Sequence, residues 1–127
     1  MSSRRQVLGD LQLAIMRVLW REGEASVAGV HRRLYEERGL APTTIATMLA
    51  KLEKKGVVEH RTEGRRFLYR PTVSEAEVTR SMVAQLTERL FAGDAAALAS
   101  HLIAEHEIDA EELDRLERLI GDRQEEK

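Results

Sequence analysis

Apolar residues recur along most of this chain at the spacing of one helix face. In LGDLQLAIMRVLWREGE, Leu11, Ala14, Ile15, Val18 and Leu19 fall at i, i+3, i+4, i+7 and i+8, which predicts a helix with one buried stripe. Asp10 is expected to cap it and Gly23 to end it. In SVAGVHRRLYEERG the stripe is Val27, Val30 and Leu34, between a capping Ser26 and a terminating Gly39. PTTIATMLAKLEKKG follows. Pro42 suits a first helical position, where no N–H is needed. Ile45, Met48, Leu49 and Leu52 form the stripe, and Gly56 is the stop. The period then changes. VVEHRTEGRRFLYRP is rich in β-branched and aromatic residues and reads as two short strands joined by a tight turn around Glu63 and Gly64. Phe67 and Tyr69, alternating with Leu68, are expected to face inward. Three helices followed by a hairpin is the order of a winged helix-turn-helix.

The remaining third reads as helical. SEAEVTRSMVAQLTERLFAG opens with Ser74 and Glu77 at capping-box spacing and carries Val78, Met82, Leu86 and Leu90 at i+4 steps. DAAALASHLIAEH is a short Ala-rich helix with Leu98, Leu102 and Ile103 as its larger apolar residues. DAEELDRLERLIGDRQEEK opens with a second capping box, Asp109 and Glu112, and presents Leu113, Leu116, Leu119 and Ile120 on one side. About fifty residues of helix bury little alone, so these stripes need a partner. A second copy is the simplest one. The expected dimerisation residues are Val78, Met82, Leu86, Leu90, Phe91, Leu98, Leu102, Leu113, Leu116 and Ile120. The expectation is thus a mainly α protein. Residues 1–73 form a winged-helix DNA-binding domain and residues 74–127 a helical dimerisation domain.

Charge sharpens that division. Residues 1–73 hold 14 Lys/Arg against 8 Asp/Glu, a net of +6; residues 74–127 hold 6 against 14, a net of −8. The front suits a polyanion and the back would be repelled by one. With no cysteine in the chain, disulfides and thiolate metal sites are excluded. No apolar run approaches the roughly 18 residues of a membrane span, and the first ten residues lack the apolar core of a signal peptide. The expected compartment is the cytoplasm, without membrane insertion.

Opposite the buried stripe, the third helix presents Thr44, Thr47, Lys51 and Lys54 at i, i+3, i+7 and i+10, flanked by Thr43 and Ala50. Small residues at its N-terminal end let a helix enter a major groove, where threonines meet base edges or a thymine methyl. Lys51, Lys54 and Lys55, farther along, are expected to reach phosphates. At the hairpin tip Arg65 and Arg66 follow Gly64, with Arg61 and Arg70 nearby; arginine forks bind phosphate, and Arg61, Arg65 and Arg66 are the expected DNA contacts of the wing. Arg4 and Arg5 are weaker candidates for the same role. Catalysis is not expected. His101, Glu105 and His106 have one residue too many for the inverted zinc-protease spacing, and neither a phosphate-binding Gly-rich loop nor a nucleophile elbow occurs. His31 and His60 read as isolated histidines. No cofactor or metal is called for.

LGDLQLAIMRVLW, TTIATMLAKLEKKGVVEHRTEGRRFLYRP and the pair RLFAGDAAALASHLIAE and IDAEELDRLERLI together resemble the penicillinase-repressor family of BlaI/MecI-type transcriptional regulators, over about residues 7–121. The resemblance implies a homodimeric repressor that grips a palindromic DNA operator with its third helix and wing. It also implies relief of repression by a membrane sensor-protease that cuts the C-terminal region. The position matching that cut is the bond between His101 and Leu102, where the family's asparagine–phenylalanine pair is missing. The cysteines used by copper-sensing relatives are absent too, and Pro42 stands where many relatives carry an aromatic residue. The alternative reading is a ligand-sensing winged-helix regulator with an effector pocket at the dimer interface.

Overall fold

The computed structural model of the chain describes residues 8–126, so Arg4 and Arg5 lie outside the described residues. In chain order the elements are α1 (Asp10–Glu22), α2 (Val27–Arg38), α3 (Pro42–Lys55), β1 (Val58–Glu63), β2 (Arg66–Pro71), α4 (Glu75–Phe91), α5 (Ala95–Glu105) and α6 (Ala110–Glu125).

The helix boundaries follow the local chemistry. The cap of α1 is Gly9 rather than Asp10, and the Gly9 N–H donates to Gln12 Oε1 at 3.2 Å. Asp10 instead sits in the first turn, where its charge favours the positive end of the helix. Ser26 caps α2 by accepting from the Gly29 N–H at 3.1 Å. Pro42 opens α3, and Gly56 closes it at φ +83°, a conformation that strains any residue with a Cβ. The buried arc of α1 is wider than a single stripe. Met16 is fully buried beside Ile15 and Leu19, because α1 packs against α2, α3 and β2 together. Val30, Leu34, Ile45, Leu49, Leu52, Val57 and Val58 complete the core.

β1 and β2 pair antiparallel from Val58↔Pro71 to Glu63↔Arg66, which leaves Gly64 and Arg65 as a two-residue turn. Gly64 has φ +64° at the first turn position, the pattern of a II′ hairpin turn. The outer edge of β2 is also occupied. Ala25 N–H donates to Tyr69 O at 2.9 Å, and Tyr69 N–H to Ala25 O at 2.8 Å. This corrects the alternation expected for the strand: Leu68 and Tyr69 are both buried, and Phe67 is 46% exposed. Tyr69 joins the core, while Leu68, on the other face of the strand, is also buried and borders a pocket with Glu24, Ala25 and Ser26, so neither face of β2 is open to solvent at its base. Phe67 lies farther out along the wing. The chain returns from the hairpin through Thr72, whose hydroxyl donates to Gly56 O at 2.6 Å, and Val73, whose carbonyl accepts from Trp20 Nε1 at 2.9 Å.

The chain divides into two compact units, Met1–Gln85 and Leu86–Lys127. The first runs past the boundary expected at residue 73. Val78, on α4, is only 1% exposed within its core, and Met82 packs against the same cluster. These two side chains, expected at a dimer interface, therefore serve the winged-helix core. In the second unit Asp94 caps α5 through Ala97 N–H at 3.0 Å, and Asp109 with Glu112 forms the expected box at the start of α6. Neither α5 nor α6 buries any residue. Leu90, Leu102, Ile103, Leu113, Leu116, Leu119 and Ile120 all stand exposed. Among the described residues, no helix is long and apolar enough to cross a membrane.

Candidate nucleic-acid interface

Two elements carry the candidate residues, α3 and the β1–β2 wing. On α3 the solvent-facing row is Thr43, Thr47, Ala50, Lys51 and Lys54, with Lys55 exposed at its end. Thr44 is half-buried at the margin of that row. The Thr47 hydroxyl donates to Thr43 O at 2.9 Å, so its methyl and the lone pairs of its oxygen, but no donor, are what it offers outward. Lys55 is turned toward α1, where its Nζ donates to Gln12 Oε1 at 3.0 Å. The small side chains lie at the N-terminal half of the row and the lysines at the C-terminal half, a gradient from base-sized contact to phosphate-sized reach.

The wing arginines are not equivalent. Among the described residues Arg65 has no ion-pair partner, whereas Arg66 pairs with Glu63 at 3.2 Å. Arg61 Nε and Nη2 meet the two carboxylate oxygens of Glu24 at 2.9 Å each, and Glu63 lies 3.5 Å away. Arg70 pairs with its cross-strand neighbour Glu59. The hydrogen bond from Arg61 holds the Glu24 carboxyl below its usual range, and the same bond raises the Arg61 guanidinium. Burial pushes the Tyr69 phenol up, with the Glu53 charge adding to it. Among the described residues, Arg65 at the wing tip and Lys51 and Lys54 on α3 have no ion pair, whereas Arg61, Arg66 and Arg70 are met by Glu24, Glu63 and Glu59.

Sequence reading missed several of those partners. His60, read as isolated, places Nδ1 2.8 Å from both carboxylate oxygens of Glu53. It also stacks on Phe67, with ring centroids 4.1 Å apart. Glu53 and His60 are seven positions apart across the Gly56 turn, so the end of α3 and the start of β1 bring them together. Glu24 and Arg61 are 37 positions apart, and only the pairing of Ala25 with Tyr69 closes that distance. Of the remaining candidates, Leu86, Leu90, Phe91, Leu98, His101, Leu102, Leu113, Leu116 and Ile120 all lie in the second unit. Leu116, Leu119 and Ile120 line a shallow groove of about 650 Å³ on α6. His101 lies within α5, its ring 6.0 Å from Phe91. Among the described residues, no group of three or more His, Cys, Asp or Glu side chains is arranged to hold a metal ion.

Residues 8–122 match the family model described as penicillinase repressor. The chain is 33% identical over 117 residues to the transcriptional regulator BlaI of Mycobacterium tuberculosis, covering 91% of this chain and 83% of that one. It is 26% identical over 113 residues to the penicillinase repressor of Bacillus licheniformis, covering 89% and 88%. Among solved structures, the DNA-binding domain of the repressor BlaI aligns with a TM-score of 0.51 at 36% identity, over 55% of this chain and 85% of that domain.

Proposed function

The chain belongs to the penicillinase repressor family, and on that premise we propose that it is a DNA-binding transcriptional repressor, not an enzyme. It binds a palindromic operator as a homodimer, with Thr43, Thr44 and Thr47 toward the bases and Lys51, Lys54, Lys55, Arg65 and Arg66 toward phosphates. The observation that carries this reading is the exposed Thr-to-Lys row of α3 together with a wing tip whose Arg65 has no acidic partner among the described residues. A helix of that profile fits a major groove, and an unpaired guanidinium at a hairpin tip is free for backbone or minor-groove contact. Dimerisation is supported by the second unit, whose helices expose apolar side chains and bury none. The compartment is that of its DNA, the cytoplasm.

Release by a membrane sensor-protease, proposed on the family resemblance, meets a physical condition. The bond between His101 and Leu102 lies inside α5, and proteases take extended chain, so α5 must unwind locally first. Within one chain α5 buries no residue, so in the proposed dimer the packing that opposes this opening comes from the second copy.

The test is selection of bound sites from random DNA by the full chain, followed by salt titration on the selected site. Neutralising one phosphate contact lowers the slope of log affinity against log salt by about 0.9. Arg65→Gln is expected to lower the slope by that amount and to weaken all sequences alike. Recovery of no two-fold sequence would refute the operator reading.

A further inference from the structure

Arg61 differs from the other wing arginines in what it holds. Its fork closes on both oxygens of Glu24 at 2.9 Å, a planar two-point match that fixes orientation as well as distance. Glu24 immediately precedes Ala25, whose backbone brackets Tyr69 on the outer edge of β2. The same short corner between α1 and α2 therefore grips the wing twice, once by main chain to β2 and once by side chain to β1. Arg61 lies three positions before Gly64, about 10 Å of strand from the turn. A change of angle at this point is carried to the tip.

We propose that Arg61 is a positioning residue rather than a DNA contact: with Glu24 it forms a strut that sets the angle of the wing to the α1–α2 corner and so aims Arg65. Its consequence for DNA rests on the DNA-binding function proposed above, but the strut itself does not. Arg61 is a cation that composition counts toward the +6 of the front half, yet its charge is met inside the protein.

The experiment uses the full chain with Glu24→Gln, Arg61→Gln, the double variant and the charge swap Glu24→Arg/Arg61→Glu. Without DNA, ¹⁵N relaxation of the Gly64 and Arg65 amides reads the order of the wing tip. A strut predicts a looser tip in each single variant, no further loosening in the double variant, and recovery in the swap. Tip amides unchanged in both single variants would overturn it. With the selected operator, both single variants should lower the ratio of operator to random-DNA affinity by about two- to fivefold, the scale of an exposed ion pair. The salt slope of Arg61→Gln should match that of the parent. A slope lowered by about 0.9 in Arg61→Gln, with the ratio unchanged in Glu24→Gln, would make Arg61 a phosphate contact and end the proposal. If the parent chain bound no DNA, the repressor reading would fall, and the relaxation data would still decide the strut.

Discussion

Thr47 sits in the middle of the exposed row of α3, and the hydrogen of its hydroxyl is already given to Thr43 O. Such back-bonding leaves an outward group that resembles valine in shape, with acceptor capacity but no donor added. If Thr47 reads a thymine through its methyl, Thr47→Val keeps the discrimination and Thr47→Ala loses about fivefold, near the lower cost of a mismatched base pair. If the lone pair reads a donor, both substitutions lose it. Affinities for operators changed at single base pairs separate the two, and we expect the methyl pattern. The position was legible in the sequence, because the stripe of Ile45, Leu49 and Leu52 fixes which side of α3 is outward. The donated hydrogen was not, because a threonine at this site has the same spacing whether its hydroxyl turns to solvent or to the preceding turn. Arg61 and Arg65 make the same point with charge. Both appear as arginines near a hairpin turn, and only Glu24, 37 residues away from Arg61, separates a strut from a free cation.

At the scale of elements, the ends of the helices were more legible than the faces of the strands. Ser26, Pro42, Gly56 and the Asp109–Glu112 box act through neighbours within a few residues, so the sequence contains all the parts. The box at the head of α4 makes a pH-dependent prediction. Ser74 N–H donates to Glu77 Oε1 at 2.9 Å, and Glu77 N–H donates to Ser74 Oγ at 3.0 Å. The bond from the Ser74 backbone, then the contact with its side chain, holds the Glu77 carboxyl below its ordinary value of 4.5. A carboxyl depressed in the folded state stabilises above its unfolded pKa, and that stabilisation is lost as pH falls through the folded value. Melting temperatures of the parent and Glu77→Gln should therefore differ at neutral pH, with the parent higher, and converge once pH drops below 4.5 and through the lowered value. A gap that never narrows as pH falls through the acid range would show that the charge of Glu77 contributes nothing to the box. The strands were harder to read because alternation assumes one covered face. Neither face of β2 is open to solvent at its base, with the core on one and the pocket bordering the corner at Ala25 on the other, so Leu68 is buried beside Tyr69 and Phe67 is left outside with His60. That corner comes from a segment 44 positions earlier in the chain than Tyr69, and no local period reports it.

For the whole molecule, the chain forms two compact units, and the border between them falls within α4 rather than at residue 73. Val78 carries the same i+4 spacing as Leu86 and Leu90, so the sequence alone assigns all three to one interface. The fold buries Val78 in the first unit and leaves Leu90 70% exposed in the second. A helix shared in this way means that cutting the chain after Val73 removes a core side chain, whereas cutting after Gln85 removes none of the first unit's buried residues. Any loss of operator binding in the longer fragment then reports dimerisation rather than unfolding. The apolar side of α6 is the place to test it in the full chain. Leu116→Asp with Ile120→Asp puts two charges on exposed positions, so the fold should persist while a second copy is excluded by desolvation and repulsion. Sedimentation should give a dimer for the parent at micromolar concentration and a monomer for this variant. On DNA the two proteins should differ most when geometry is varied. Two recognition helices on a two-fold operator sit one helical turn apart, roughly 34–36 Å, so inserting about five base pairs between half-sites places them on opposite faces of the duplex. The parent should lose affinity sharply on that insertion. The variant, binding one half-site at a time, should be indifferent to it. A parent equally indifferent would mean that the two DNA-binding units are not held together, and the dimeric repressor reading would fail even with every α3 contact in place.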